Sequence, residues 1–136
     1  MSLVFVDSSA FLSLEDASER SHERCREAFR ALVDDRARFV TTNFVFDETY
    51  TLQLVRLNRD RAVSWGTSFR ASRLVELVRV APEHEERAWE ILISYDDKDF
   101  SYTDATSFAV AEDLGVDAVF TVDRHFGQYG AFNLVP

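Results

Sequence analysis

The sequence predicts an α/β fold, with a mostly parallel sheet and helices on both faces. Strand-like and helix-like segments alternate along the whole chain, which is the pattern of such sheets. Two strand segments, Leu3–Val6 and Ala118–Val122, are nearly all apolar, of the kind buried on both sides. The chain has 136 residues, 46% of them hydrophobic, and shows no repeat, linker or low-complexity stretch. One domain over residues 1–136 is therefore expected, large enough for a real core.

Each element has a local reason. Leu3–Val6 is rich in strand formers and bounded by Asp7-Ser8-Ser9, so it reads as a buried strand followed by a short helix over residues 10–14. Residues 17–34 read as a charged amphipathic helix, with His22, Cys25, Phe29 and Leu32/Val33 on one face. Arg38–Thr41 reads as a second strand. Residues 43–58 read as a helix whose apolar face holds Phe44, Val45, Leu52 and Val55. Asp60 is a candidate cap for the next helix, which carries Trp65 and Phe69 to about Ser72. Leu74–Val80 reads as a third strand, and Pro82 starts a helix running to about Ser94. An acidic loop over residues 95–102 precedes a helix from Thr103 to Leu114, closed by Gly115. Ala118–Val122 is the fourth strand and Phe132–Val135 the fifth.

Composition excludes several classes. No apolar run approaches the ~20 residues of a membrane span, and the N-terminus lacks a basic region before its apolar stretch, so a cytoplasmic location is expected. One cysteine, Cys25, allows no internal disulfide. The formal net charge of −9 argues against a general nucleic-acid binder. Its distribution is uneven, however. Residues 16–73 hold 11 arginines against 9 acids, and residues 74–136 hold 4 basic groups against 13 acids. The five arginines at 56, 59, 61, 70 and 73 face Asp60 alone. They read either as a phosphate-facing patch or as a solvated helix face.

In a sheet of this type the ligand site lies beyond the carboxyl ends of the strands, near the switch in strand order. Asp7 follows the first strand directly and Asp123 the fourth. Glu48 shares a helix face with Phe44, Leu52 and Val55, where a carboxylate needs a partner or a cation. Asp104 opens a helix after a loop holding Asp96, Asp97 and Asp99. Four converging carboxylates repel one another, and an all-oxygen site favours Mg²⁺ or Mn²⁺ over zinc. His22, His84 and His125 lack metal-ligand spacing, and there is no cysteine cluster. Each acid also has a plainer explanation. Asp7 and Asp123 are placed to cap helices, Asp104 fits a Ser-x-x-Asp capping box with Ser101, and Glu48 could pair with an arginine.

Other chemistries fit worse. Glycine occurs only at 66, 115, 127 and 130, so there is no phosphate-binding loop and no G-x-S-x-G elbow. A phosphoryl-accepting receiver domain would want a second acid beside Asp7, where Ser8 and Ser9 stand, and a lysine near the last strands; Lys98, the sole lysine, is in a loop.

Four ordered segments carry a resemblance. They are Phe5-Val6-Asp7-Ser8-Ser9-Ala10-Phe11-Leu12, Thr41-Thr42-Asn43-Phe44-Val45-Phe46-Asp47-Glu48, Asp99-Phe100-Ser101-Tyr102-Thr103-Asp104-Ala105 and Phe120-Thr121-Val122-Asp123-Arg124-His125-Phe126. Together they resemble the PIN-domain ribonucleases, especially the small VapC-type toxins of toxin–antitoxin pairs. The resemblance implies a three-layer α/β/α domain with a central, mostly parallel sheet. It implies Asp7, Glu48, Asp104 and Asp123 as catalytic and metal-binding acids holding one or two Mg²⁺ or Mn²⁺, with Ser9 and Thr121 supporting them. It implies cleavage of single-stranded RNA by metal-activated water, an antitoxin protein as a partner, and a homodimer. Glu48 is preferred to the adjacent Asp47, and no role is carried onto Asp99. Arg56, Arg59 and Arg61 are expected to contribute an RNA-facing patch. The competing reading is a PIN-like module that binds RNA or protein without cutting.

Overall fold

The computed structural model describes residues 2–136. Among them, five strands form one sheet in the order β3-β2-β1-β4-β5, and every pairing is parallel. The strands are β1 (Leu3–Val6), β2 (Arg38–Thr42), β3 (Val75–Val78), β4 (Ala118–Phe120) and β5 (Leu134–Val135). Seven helices flank the sheet, the arrangement of an α/β/α fold. They are α1 (Ser8–Glu15), α2 (His22–Asp34), α3 (Asn43–Arg56), α4 (Arg59–Ala71), α5 (Pro82–Ser94), α6 (Tyr102–Leu114) and α7 (Arg124–Tyr129).

β1 is the centre of the sheet. Val4 lies between Phe39 and Ala118, and Phe5 between Val40 and Val119. Val4, Phe5 and Val6 are all buried, so the strand is covered on both faces, as its unbroken apolar run requires. Around it the core gathers Phe39, Val40, Ile91, Phe108, Val119, Phe120 and Phe126. No helix among the described residues is long and apolar enough to cross a membrane.

Several boundaries differ from the sequence expectation. α1 begins at Ser8 because Asp7 caps it. α2 begins at His22, not Ala17. The Asp16 carboxylate accepts both the Ser18 N–H and hydroxyl, and this local bonding holds the backbone in a turn. α3 stops at Arg56, and Asn58, not Asp60, caps α4, its side-chain oxygen accepting the Arg61 N–H at 2.8 Å. β3 is shorter than Leu74–Val80, and β5 pairs only at Leu134–Val135. β4 ends at Phe120, two residues early. The Val122 N–H goes to the Ser9 hydroxyl and the Asp123 N–H to the Thr121 hydroxyl, so side chains take the donors beyond it.

The face of α3 is the largest correction. Its buried stripe is Val45, Thr49 and Gln53, while Val55 is 76% exposed. Thr49 can face the core because its hydroxyl donates to the Val45 carbonyl at 2.7 Å. Glu48 therefore lies beside the core stripe, partly buried, at the border of a cleft.

Candidate active site

The cleft opens at the carboxyl end of β1 and β4, the neighbouring strands at the centre of the sheet. Its walls include Ser8, Ser9, Glu48, Arg56, Asp104, Asp123 and His125. Asp7 lies buried behind Ser8 and Ser9, close enough to Asp104, Asp123 and Glu48 to feel all three charges. The structure thus brings the four acids singled out in the sequence to one place.

The plainer explanations for three of them also hold. Asp7 caps α1, accepting the Ser9 N–H at 3.3 Å. Asp123 caps α7, accepting the His125 N–H at 2.9 Å. Asp104 and Ser101 form a reciprocal capping box, each side chain accepting the other's N–H at 3.0 Å. Capping is how the fold orients these carboxylates: three helices begin at one sheet edge, each with an acid in or before its first turn. Among the described residues no arginine pairs with Glu48. Its carboxylate accepts the Ser8 hydroxyl instead.

Asp7 is held most tightly. Its Oδ2 accepts the Ser9 hydroxyl at 2.7 Å and the Thr121 hydroxyl at 3.0 Å. Burial pushes its pKa up to about 7; the Ser9 bond opposes the rise, and the charges of Asp104, Asp123 and Glu48 add to it. Burial also raises Glu48, against the Ser8 bond and with the charges of Asp104 and Asp123. Asp104 rises through burial and the Asp123 charge, while the Ser101 N–H and His125 pull it down.

Among the described residues no lysine or arginine forms an ion pair with any of the four acids. Arg56, on the cleft wall, pairs with Glu19 at 3.4 Å. Arg61 donates to the Glu15 carbonyl at 2.6 Å, and Arg59 lies 3.8 Å from Asp60. Asp47, Asp96, Asp97 and Asp99 are exposed. Clustered carboxylates, with Asp7, Glu48 and Asp104 pushed up by burial and no lysine or arginine paired to the cluster among the described residues, suit a divalent cation, and the oxygen-rich donor set suits a hard one.

Two cleft residues were not apparent from sequence. Ser8, read as a boundary, supports Glu48. His125, set aside for lack of ligand spacing, places Nδ1 2.6 Å from Asp104 Oδ2 and 3.5 Å from Asp123 Oδ1. Its signal was adjacency, two residues beyond an acid that caps a helix.

Comparison with known proteins gives the family and the fold. The family model for the PIN domain matches residues 4–131. The 23S rRNA-specific endonuclease VapC20 of Mycobacterium tuberculosis is 31% identical over 134 residues, covering 98% of this chain and 99% of that protein. The crystal structure of VapC20, described as a Sarcin-Ricin loop cleaving toxin, superposes with a TM-score of 0.86 over 98% of this chain and 99% of that one. DNA-bound VapBC from Salmonella typhimurium shares the fold at a TM-score of 0.71 and 15% identity, over 98% of this chain and 97% of that one.

Proposed function

The chain belongs to the PIN domain family, and from that premise we propose that it is a metal-dependent endoribonuclease acting as a single domain on single-stranded RNA. The observation that carries the reading is the convergence of Asp7, Glu48, Asp104 and Asp123 at one sheet edge with no lysine or arginine paired to them among the described residues. These four would hold one or two Mg²⁺ or Mn²⁺. Such a cation, when bound, supplies positive charge to the scissile phosphate and lowers the pKa of an attacking water.

The chain's own residues do the rest. Ser9 and Thr121 hold Asp7 in one orientation by bonding the same oxygen. Ser8 fixes Glu48, and the capping box fixes Asp104. The carboxylates would then act as ligands and positioning groups, so no covalent intermediate is needed: the oxygen of water bonds to phosphorus, the bond from phosphorus to one ribose oxygen breaks, and that oxygen leaves with a proton. Arg56 offers a planar fork for an RNA phosphate at the cleft wall, with Arg59 and Arg61 extending the basic surface. A net charge of −9 is compatible with RNA binding because attraction comes from this local patch and from the metal.

VapC20's named substrate makes 23S rRNA the first RNA to test. Its description as a toxin, with the shared fold of VapBC structures, supports an antitoxin partner for this chain; a homodimer acting in the cytoplasm, where ribosomes are, completes the proposal. The experiment is RNA cleavage by the purified protein with Mg²⁺ or Mn²⁺, beside Asp7→Asn, Asp104→Asn and an EDTA control. Cleavage that needs metal and disappears in both variants supports the reading. RNA binding without cleavage, and without metal binding, would replace it with a non-catalytic module.

A further inference from the structure

His125 is the one imidazole in the cleft, and the nuclease reading gives it no task. Its ring is partly buried, with the edge of Phe100 at 5.6 Å between centroids and an interplanar angle of 79°. Its backbone N–H is bound by Asp123 Oδ1, which anchors the residue in the first turn of α7. One ligand atom each from Asp104, Asp123 and His125 lies within 4.8 Å of the others.

Those spacings fit donors around one ion. With bonds of about 2.1 Å, adjacent octahedral ligands are roughly 3 Å apart and opposite ones roughly 4.2 Å. His125 Nδ1 is hydrogen-bonded to Asp104 Oδ2 at 2.6 Å and lies 3.5 Å from Asp123 Oδ1, so its two distances bracket the adjacent-ligand spacing. A histidine that merely oriented Asp104 would need a single contact. This one faces both carboxylates.

We propose that His125 Nδ1 is a metal ligand alongside Asp104 and Asp123, and that this nitrogen makes the site prefer Mn²⁺ to Mg²⁺. The inference rests on the metal-dependent reading above and adds a donor of a different chemical type to it. Imidazole nitrogen is a borderline donor that manganese accepts, whereas magnesium favours oxygen and retains its waters. With Nδ1 on the ion, the ring proton resides on Nε2, where it is a hydrogen-bond donor.

The test is electron paramagnetic resonance with echo-envelope modulation on the Mn²⁺-loaded protein. A directly bound imidazole gives ¹⁴N modulation, which is expected in the wild type and lost in His125→Gln. His22 and His84 bond elsewhere, to the Ser13 carbonyl and to Asp113, so the signal has one source in the cleft. Competition titration should show Mn²⁺ affinity falling about tenfold in the variant and Mg²⁺ affinity changing less than about twofold. Bound Mn²⁺ with no ¹⁴N modulation in the wild type would overturn the assignment and leave the nuclease reading standing. Equal weakening of both metals would also overturn it. A free-ion spectrum for the wild type would overturn both readings together.

Discussion

The Thr121 hydroxyl donates to Asp7 Oδ2 at 3.0 Å, joining residues 114 positions apart at the point where β1 and β4 leave the sheet. The same hydroxyl accepts the Asp123 N–H at 3.0 Å. One threonine therefore positions two of the four acids. Thr121→Val keeps the shape, removes the donor and leaves the Asp123 N–H without its partner. Its expected cost is roughly 1–3 kcal/mol of stability, read from urea unfolding. Thr121→Ser should recover most of it, since the hydroxyl is what matters.

The metal-free protein should lose stability as pH rises from about 4 to about 7. Asp7 has an ordinary pKa of 3.8 and a folded value of about 7. Between those values the folded chain holds a proton that the unfolded chain has released, so raising the pH favours unfolding. Glu48 and Asp104 shift in the same direction and steepen the fall. Thermal melts in EDTA across this range measure it. A metal-free protein that grew steadily more stable from pH 4 to 7 would contradict the burial assigned to these groups.

Mn²⁺ or Mg²⁺ should raise the melting temperature more at pH 8 than at pH 5. Below pH 7 the ion competes with protons for Asp7, and above it the carboxylates are bare. Scanning calorimetry with and without metal at the two pH values gives the difference.

Asp7→Asn should abolish cleavage while stabilising the metal-free protein at pH 8. The amide oxygen can still cap α1 and still accept from Ser9 and Thr121, while one buried charge disappears. An increase of several degrees in melting temperature is expected, since about 1 kcal/mol corresponds to roughly 3–5 °C for a chain of this size. A lower melting temperature would show that the amide loses more in hydrogen bonding than it gains by removing charge.

Arg56→Ala should weaken RNA binding and flatten its salt dependence, lowering the log–log slope by roughly 0.7 for one lost phosphate contact to a single strand. Arg56 lines the cleft, whereas Arg59 lies outside it and should have a smaller effect alone. Replacing Arg59 and Arg61 together should leave cleavage of a dinucleotide nearly unchanged, because neither lines the cleft that holds so short a substrate. Fluorescence anisotropy at several salt concentrations separates these effects.

The parallel sheet was legible because its central strands are unbroken apolar runs bounded by acids. Strand adjacency at β1 and β4 then made Asp7 and Asp123 neighbours. The face of α3 was not legible. Thr49 and Gln53 look polar in the sequence, yet Thr49 satisfies its hydroxyl within its own helix and both residues are buried. Apolar periodicity alone therefore chose Val55, which faces solvent. His125 escaped notice because ligand spacing was sought along the chain, whereas its carboxylate neighbour Asp104 is 21 positions away. The carboxyl end of β4 was misread because, past Thr121, hydroxyl groups and not strand partners take the Val122 and Asp123 donors.

Strand pairing across 114 residues also sets a clock on synthesis. At ~5–20 residues per second, roughly 6–23 s separate the emergence of Asp7 from that of Thr121. Throughout that interval β1 lacks β4, its neighbour at the centre of the sheet, and the first acid lacks one of its two hydroxyl donors. A chain that stops before Thr121 already carries Asp7, Glu48 and Asp104 but cannot arrange them. Assembly of the cleft therefore waits on the synthesis of Thr121 and Asp123, long after Asp7 has emerged.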